Sequence, residues 1–171
     1  MLVAAAVCPC PPLLVPEVAA GAAPELDAAR TACTDALGVL AAARPDLLVV
    51  IGPAARDGRG THPEGAAGDF RAFGVDLEVR LGQDRGTPPD RPLPPSLAVG
   101  AWLLARTGWA AAPVEGLGVF EPLETARCTE TGRELALRAD RVALLVMGDG
   151  SACRTVKAPG YLDERAAAFD A

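Results

Sequence analysis

Two cysteines flank a proline near the start of the chain, in the stretch CPCPPLLVPEV that opens at Cys8. Thiols at this spacing suggest a redox pair, or a zinc site that Cys8 and Cys10 would share with Cys153 and His62. A Cys-x-Cys motif alone is weak evidence, because the second half of a zinc signature is absent from the sequence. Buried thiols at the end of a strand are the simpler interpretation.

The chain contains one histidine, His62, within the segment GTHPE. This residue could supply one imidazole to a metal site with Cys10, to which Asp149 or Glu64 would add a carboxylate. No second ligand with metal-site spacing lies beside His62 in the sequence. We therefore expect a solvent-exposed histidine in a mobile loop.

A further polar cluster follows the last apolar run, in the segment Gly148-Asp149-Gly150-Ser151. Asp149 and Ser151 are the candidate catalytic or binding residues of this segment: Ser151 would hydrogen-bond a ligand, and Asp149 would orient the turn. The same four residues are equally typical of an ordinary turn that reverses the chain. Both interpretations stay open on the sequence.

Apolar runs predict the strands that would position these residues. Three runs are almost continuously apolar, as expected of parallel strands buried on both faces. They are residues Leu2–Cys8, 47–51 and Val142–Met147. Residues 75–81 alternate apolar and polar side chains, which predicts an edge or half-exposed strand. Residues 114–120 form a fifth candidate, interrupted by two glycines.

The segments between the predicted strands have the periodicity of helices. Residues 24–43 begin with a proline and have a helical period that places Cys33 on an apolar face. Residues 126–139 have a similar period, with Cys128 on the apolar face. Both thiols are therefore expected in the core. A third helix is predicted after Ser96, which would be its N-cap. Strands that alternate with helices predict an α/β fold: a central, mostly parallel sheet, helices on both faces and one antiparallel edge strand.

Composition limits the class of protein. The 171 residues, 50% apolar and 22% charged, predict one globular domain over residues 1–171. A net charge of -6 and a single lysine, Lys157, argue against nucleic acid as a partner, and no apolar run is long enough to cross a membrane. Five cysteines are an odd count, and the start of the chain has no basic signal region. We therefore expect free thiols and a cytoplasmic protein.

Ligands of open α/β sheets bind beyond the carboxyl ends of the strands. Three segments should meet at that edge: Cys8-Pro9-Cys10, the loop that begins at Gly52-Pro53, and Gly148-Asp149-Gly150-Ser151. The candidate site is therefore expected there.

The same segments carry a family resemblance. CPCPPLLVPEV, PDLLVVIGPAA and MGDGSACRTVKAPGYLDERAAAFDA together resemble the class III extradiol dioxygenases, the β-subunit-like superfamily that opens catechol rings and includes Memo-like proteins. The resemblance spans Met1 to Ala171, and a typical member is longer, so we expect the domain to be truncated at its C-terminus relative to the family.

The resemblance implies an oxidoreductase with one Fe(II), held by two histidines and a carboxylate, and a further histidine as acid/base. At the matching positions this chain has Cys10, Ala54 or Ala55, and Ala152, and the family's ligand carboxylate lies beyond Ala171. A chain with one imidazole cannot assemble a two-histidine site. The standard iron site is therefore excluded within one subunit.

We expect a catalytically degenerate family member, a pseudoenzyme that serves as a binding or partner-interaction module, with a small aromatic molecule as its ligand. One alternative is an active Fe(II)-dependent ring-opening dioxygenase with Cys10 and His62 as substituted ligands. Another is a zinc or redox site at Cys8, Cys10 and Cys153. A homo-oligomer, or a partner subunit that brings histidines, is a further hypothesis.

Overall fold

The computed structural model describes residues 1–86, 91–120, 123–158 and 160–170. The helices and strands of this part of the chain, in order, are β1 (Leu2–Cys8), α1 (Pro16–Ala19), α2 (Asp27–Ala42), β2 (Leu47–Pro53), β3 (Gly60–His62), β4 (Ala67–Asp69), β5 (Glu78–Arg80), α3 (Pro95–Thr107), β6 (Val114–Val119), α4 (Thr125–Ala136), β7 (Val142–Met147) and α5 (Ala166–Phe169). Short 3₁₀ segments at Pro12–Leu14, Ala20–Leu26 and Arg71–Phe73 lie between them.

The central sheet has five strands in the order β1-β7-β2-β6-β3. The first four are parallel, and β3 pairs with β6 in the antiparallel direction at one edge. The predicted α/β fold with one antiparallel edge strand is therefore confirmed. The continuous apolar runs of β2 and β7 lie in the interior of this sheet, as strands buried on both faces must. The same expectation is wrong for β1, which lies at the edge of the sheet with Leu2 and Val7 exposed.

Helices cover the two faces of the sheet unequally. On one face, α2 and α3 pack over the strands and form the larger core, to which Cys33, Leu37 and Leu104 contribute. On the other face, α4 packs through Leu135 against Leu47, Val49 and Val142 of the sheet. None of the described helices is long and apolar enough to span a bilayer.

The alternating segment at residues 75–81 forms a strand outside the central sheet. Its ordered part, β5, pairs with β4 in a separate two-stranded antiparallel sheet. Val79 and Leu81 are buried, whereas Glu78 and Arg80 are exposed, as the alternation predicts for a half-exposed strand. The antiparallel edge of the central sheet is β3 instead.

Two expectations about helices are wrong. Ser96 is not the N-cap of α3, because that position belongs to Pro94; the Ser96 hydroxyl donates to the carbonyl oxygen of Pro53 at 2.6 Å. Cys128 is exposed and not in the core. Its helix, α4, turns a narrow apolar face to the sheet, at Leu135, and Cys128 lies outside that face.

Candidate functional site

A cavity of about 410 Å³ lies beyond the carboxyl ends of β2 and β6. Its walls come from four segments that are far apart in the sequence: the loop after β1, the end of β2, the start of α3 and the end of β6. The lining residues are Cys10, Pro53, Ala54, Ala55, Pro95, Ser96, Val119 and Phe120. We call this space the strand-end cavity. It lies at the edge of the sheet where ligands of parallel sheets bind.

Cys10 and Asp149 come together beside the strand-end cavity. The backbone N–H of Cys10 donates to Asp149 Oδ1 at 2.7 Å, and the Cys10 thiol lies 3.6 Å from Asp149 Oδ2. The contact follows from strand pairing, because Cys8 at the end of β1 is the partner of Met147 at the end of β7. The segments after these two parallel strands therefore leave the sheet side by side. Two of the three predicted segments thus meet through these side chains.

The Cys10 thiol is held in its neutral form. Burial raises the pKa of this thiol to about 12, and the charge of Asp149 and its hydrogen bond act in the same direction. At neutral pH the thiol is protonated and donates to the carboxylate. Metal ligation and nucleophilic attack both need the thiolate, so this environment opposes both.

The other candidate thiols contact different groups. Cys8 is buried beside Cys33 of α2; burial and this neighbour raise the pKa of Cys8 to about 12. The thiol of Cys153 donates to the carbonyl oxygen of Gly160 at 3.3 Å. Within the described ranges, no three His, Cys, Asp or Glu side chains are grouped closely enough to hold a metal ion.

His62 is buried, and the expectation of an exposed loop histidine is wrong. Only 1% of the residue is accessible to solvent. His62 lies in β3 opposite Gly116 of β6, and its ring Nε2 lies 2.8 Å from the carbonyl oxygen of Gly58. Because a carbonyl only accepts, Nε2 carries the proton and donates. Burial lowers the pKa of His62, so the ring is neutral near pH 7.

The glycines of β6 explain why His62 is buried. A Cβ atom at Gly116 would lie 3.1 Å from the Cβ of His62, and one at Gly118 would collide with the carbonyl oxygen of Gly58. Glycine at both positions lets the loop before β3 approach β6 closely. The two glycines, which suggested an interrupted strand, are the signal in the sequence for this close approach.

Ser151 and Asp149 form hydrogen bonds with different loops. The backbone N–H of Ser151 donates to Asp170 Oδ1 at 2.7 Å, and its hydroxyl oxygen accepts from the N–H of Cys153 at 3.1 Å. Ser151 lines a second cavity together with Cys153 and Phe169, and it does not line the strand-end cavity. Asp149 orients the loop after β1 through Cys10.

Sequence reasoning missed two residues of the strand-end cavity. Ser96 is buried, and its hydroxyl fixes the end of β2 by donating to Pro53. Phe120 forms one wall, and the guanidinium carbon of Arg56 lies 5.8 Å from the centre of its ring. Neither residue belongs to a motif, so only the packing of α3 and β6 against the cavity identifies them.

The residues of the strand-end cavity do not fit the iron site that the resemblance implies. Cys10, Ala54 and Ala55 stand where the resemblance places two histidines, and Ala152 is exposed outside the cavity. The polar side chains that remain in the lining are a protonated thiol and a hydroxyl that already donates to Pro53. Neither is a ligand that ferrous iron prefers over water.

No protein-family model matches the chain, and no match to it was found among the curated proteins. The resemblance to class III extradiol dioxygenases therefore stays a prediction from the quoted motifs.

Proposed function

We propose that this chain is a catalytically degenerate relative of the class III extradiol dioxygenases that binds a small aromatic molecule in the strand-end cavity without opening its ring. The observation that carries the proposal is the lining itself. The cavity is at the edge of the sheet expected for a ligand, and it is lined by Cys10, Ala54 and Ala55, which stand where the resemblance places the metal-binding histidines.

The chemistry of the lining supports an uncharged, mostly apolar ligand. Proline, alanine, valine and phenylalanine side chains form most of the wall, and Ser96 and Cys10 add one hydroxyl and one neutral thiol. Small-molecule sites commonly combine such apolar walls with a few polar groups that orient the ligand. The ring of Phe120 offers an aromatic ligand a stacking surface.

Metal analysis separates this proposal from the two enzyme-like alternatives. The protein is reconstituted anaerobically with ferrous iron and with zinc in parallel, its metal content is measured, and oxygen uptake is followed after addition of catechol. We expect less than stoichiometric metal and no oxygen uptake. Stoichiometric iron that is lost in Cys10→Ala, together with oxygen uptake, would establish the ring-opening alternative. Zinc bound through Cys10 would establish the thiolate site.

Ligand binding is tested with catechol under the same anaerobic conditions. We expect catechol to bind the metal-free protein in a calorimetric titration, and Ala55→Phe to weaken binding at least tenfold because the added ring fills the cavity. Ala42→Phe, at an exposed position in α2, is the matched control and should bind as the unaltered protein does. Equal binding by both variants would remove the strand-end cavity as the site.

A further inference from the structure

A third cavity lies between β6 and α4. Its volume is about 460 Å³, and it continues into a smaller space of about 190 Å³ that shares Leu117 and Thr131 with it. We call the two together the α4 groove. Val119 and Phe120 line both this groove and the strand-end cavity; the other lining residues of the two spaces differ.

The groove exists because α4 is attached to the sheet near one end. The buried residue of this helix is Leu135, in its last turn, where it packs on Leu47 and Val49. The first two turns, from Thr125, have no buried residue. The amino-terminal half of α4 therefore stands away from β6 and leaves the larger space open.

The floor of the larger space is apolar. Leu117 and Val119 of β6 point toward α4, since side chains alternate along a strand and Gly116 and Gly118 face the other way. Phe120 and Leu123 extend the same surface. These side chains are partly accessible to solvent, and Leu123 is 43% exposed. A ligand that covered them would remove apolar surface from water.

Two arginines stand at the rim of this floor. Arg59, just before β3, and Arg127, in the first turn of α4, both line the larger space. Arg91 fixes the backbone beside the first of them by donating to the Arg59 carbonyl at 2.6 Å. Arg127 also forms a surface ion pair with Glu130, a type of contact that contributes little.

The charges of the groove are distributed unevenly along its length. No Asp or Glu of the described ranges lines the larger space, although the chain as a whole carries a net charge of -6. The smaller space is lined by two carboxylates, Glu134 and Glu115, and Glu115 pairs with Arg138 at 2.8 Å between Oε2 and Nη1. The larger space therefore has two arginines over an apolar floor, whereas the smaller space has two carboxylates and one arginine.

We propose that the α4 groove binds a small monocarboxylate with an apolar body. The carboxylate lies between Arg59 and Arg127, because guanidinium groups bind carboxylates through paired, charge-assisted hydrogen bonds. The apolar body lies on Leu117, Val119, Phe120 and Leu123. The larger space falls within the volumes of small-molecule sites.

Matched acids and amides test this assignment. Octanoate and 1-naphthoate are titrated into the protein and compared with octanamide and 1-naphthamide, which keep the chain or the ring and lack the charge. We expect at least one acid to bind at least tenfold more tightly than its amide, and its binding to weaken as salt is added. The tighter acid identifies a chain or a ring as the preferred body. Equal binding of acids and amides would overturn the proposal.

Variants locate the binding. The double variant Arg59→Gln, Arg127→Gln should lose at least tenfold in affinity for the acid. Arg133→Gln, an exposed position on the same helix outside the groove, makes a like charge change and should have no effect. Thr131→Phe, which fills the groove without changing charge, should also abolish binding. Acid binding that survives both the double variant and Thr131→Phe would overturn the proposal.

The outcome is independent of the proposed function. Ala55→Phe blocks the strand-end cavity and should leave acid binding unchanged, whereas Thr131→Phe should leave catechol binding unchanged. Acid binding that is lost in Ala55→Phe would place the acid in the strand-end cavity and overturn the assignment to the α4 groove.

Discussion

At Cys10, the neighbours that fix the side chain also determine its protonation state. Asp149 accepts from both the backbone N–H and the thiol of this residue, and burial adds to the effect of the carboxylate. A cysteine that looks like a substituted metal ligand in the sequence is thus a neutral hydrogen-bond donor in the fold. This change of role depends on a partner 139 positions away.

Thiol labelling with iodoacetamide at pH 8 should show that Cys10 is buried and protonated. Cys128 is exposed and Cys153 partly so, and both should react in the folded protein. Cys8, Cys10 and Cys33 are buried and should react only after unfolding in urea, since alkylation needs an accessible thiolate. Mass spectrometry of the peptides measures each site. Labelling of Cys10 as fast as that of Cys128 would contradict the assignment.

His62 should make the stability of the protein depend on pH. Burial lowers the pKa of the folded-state ring below the ordinary value of 6.5, so the unfolded chain binds the proton more readily. The stabilisation is therefore complete above about pH 6.5 and is lost as the pH falls toward the folded-state pKa, with a slope of at most about 1.4 kcal/mol per pH unit.

Urea unfolding between pH 7.5 and pH 5.5 measures this slope. His62→Gln is the comparison, because its amide N–H can still donate to Gly58 and does not titrate. Carboxylates titrate in both proteins, so the difference between the two slopes isolates His62. Parallel curves for the two proteins would exclude a neutral, buried imidazole.

The packing of α3 against the sheet requires glycine at position 100. At Gly100 this helix crosses the sheet so closely that a Cβ atom would lie 2.8 Å from Val50 Cγ1 and 3.3 Å from Met147 Sδ. Gly38, in α2, has no neighbouring atom within 4 Å of the same point. Glycine is therefore required for close packing at position 100, whereas the packing does not require it at position 38.

Alanine at these two positions should change stability in opposite directions. Gly100→Ala forces the helix off the sheet and should destabilise the protein by about 1–3 kcal/mol. Gly38→Ala raises helix propensity without a clash and should stabilise it by about 0.5–1 kcal/mol. Urea unfolding gives both values, and a stabilising Gly100→Ala would contradict the close packing of α3 on β2.

Elements were predictable from the sequence where burial alone sets their pattern. β2 and β7 are buried on both faces and read as continuous apolar runs, and α2 shows a helical period through Cys33. By contrast, β3 and β4 have three residues each, too few for any period, and form only because β6 and β5 are there to pair with them. The burial of Arg30 was not predictable either, because it depends on a hydrogen bond from the guanidinium to the Leu14 carbonyl.

At the scale of the whole molecule, the position of the candidate site could be predicted from the fold class, but its contacts could not. The rule for parallel sheets correctly brought the loops after β1 and β2 to one edge. The contact between Cys10 and Asp149 depends on β7 lying next to β1, and the bond from Ser96 depends on how α3 crosses β2. The first is a consequence of strand order and the second of helix packing, and local sequence patterns encode neither.

That strand order also has a consequence for the synthesis of the protein. β7 is inserted between β1 and β2, so β1 has no partner in the sheet until residues 142–147 have been translated. Throughout that interval the uncharged segment LVAAAVC lacks its sheet partner, and unpaired strand edges are prone to associate with other chains. The strand-end cavity is completed only afterwards. β1 can therefore join the sheet only late in synthesis.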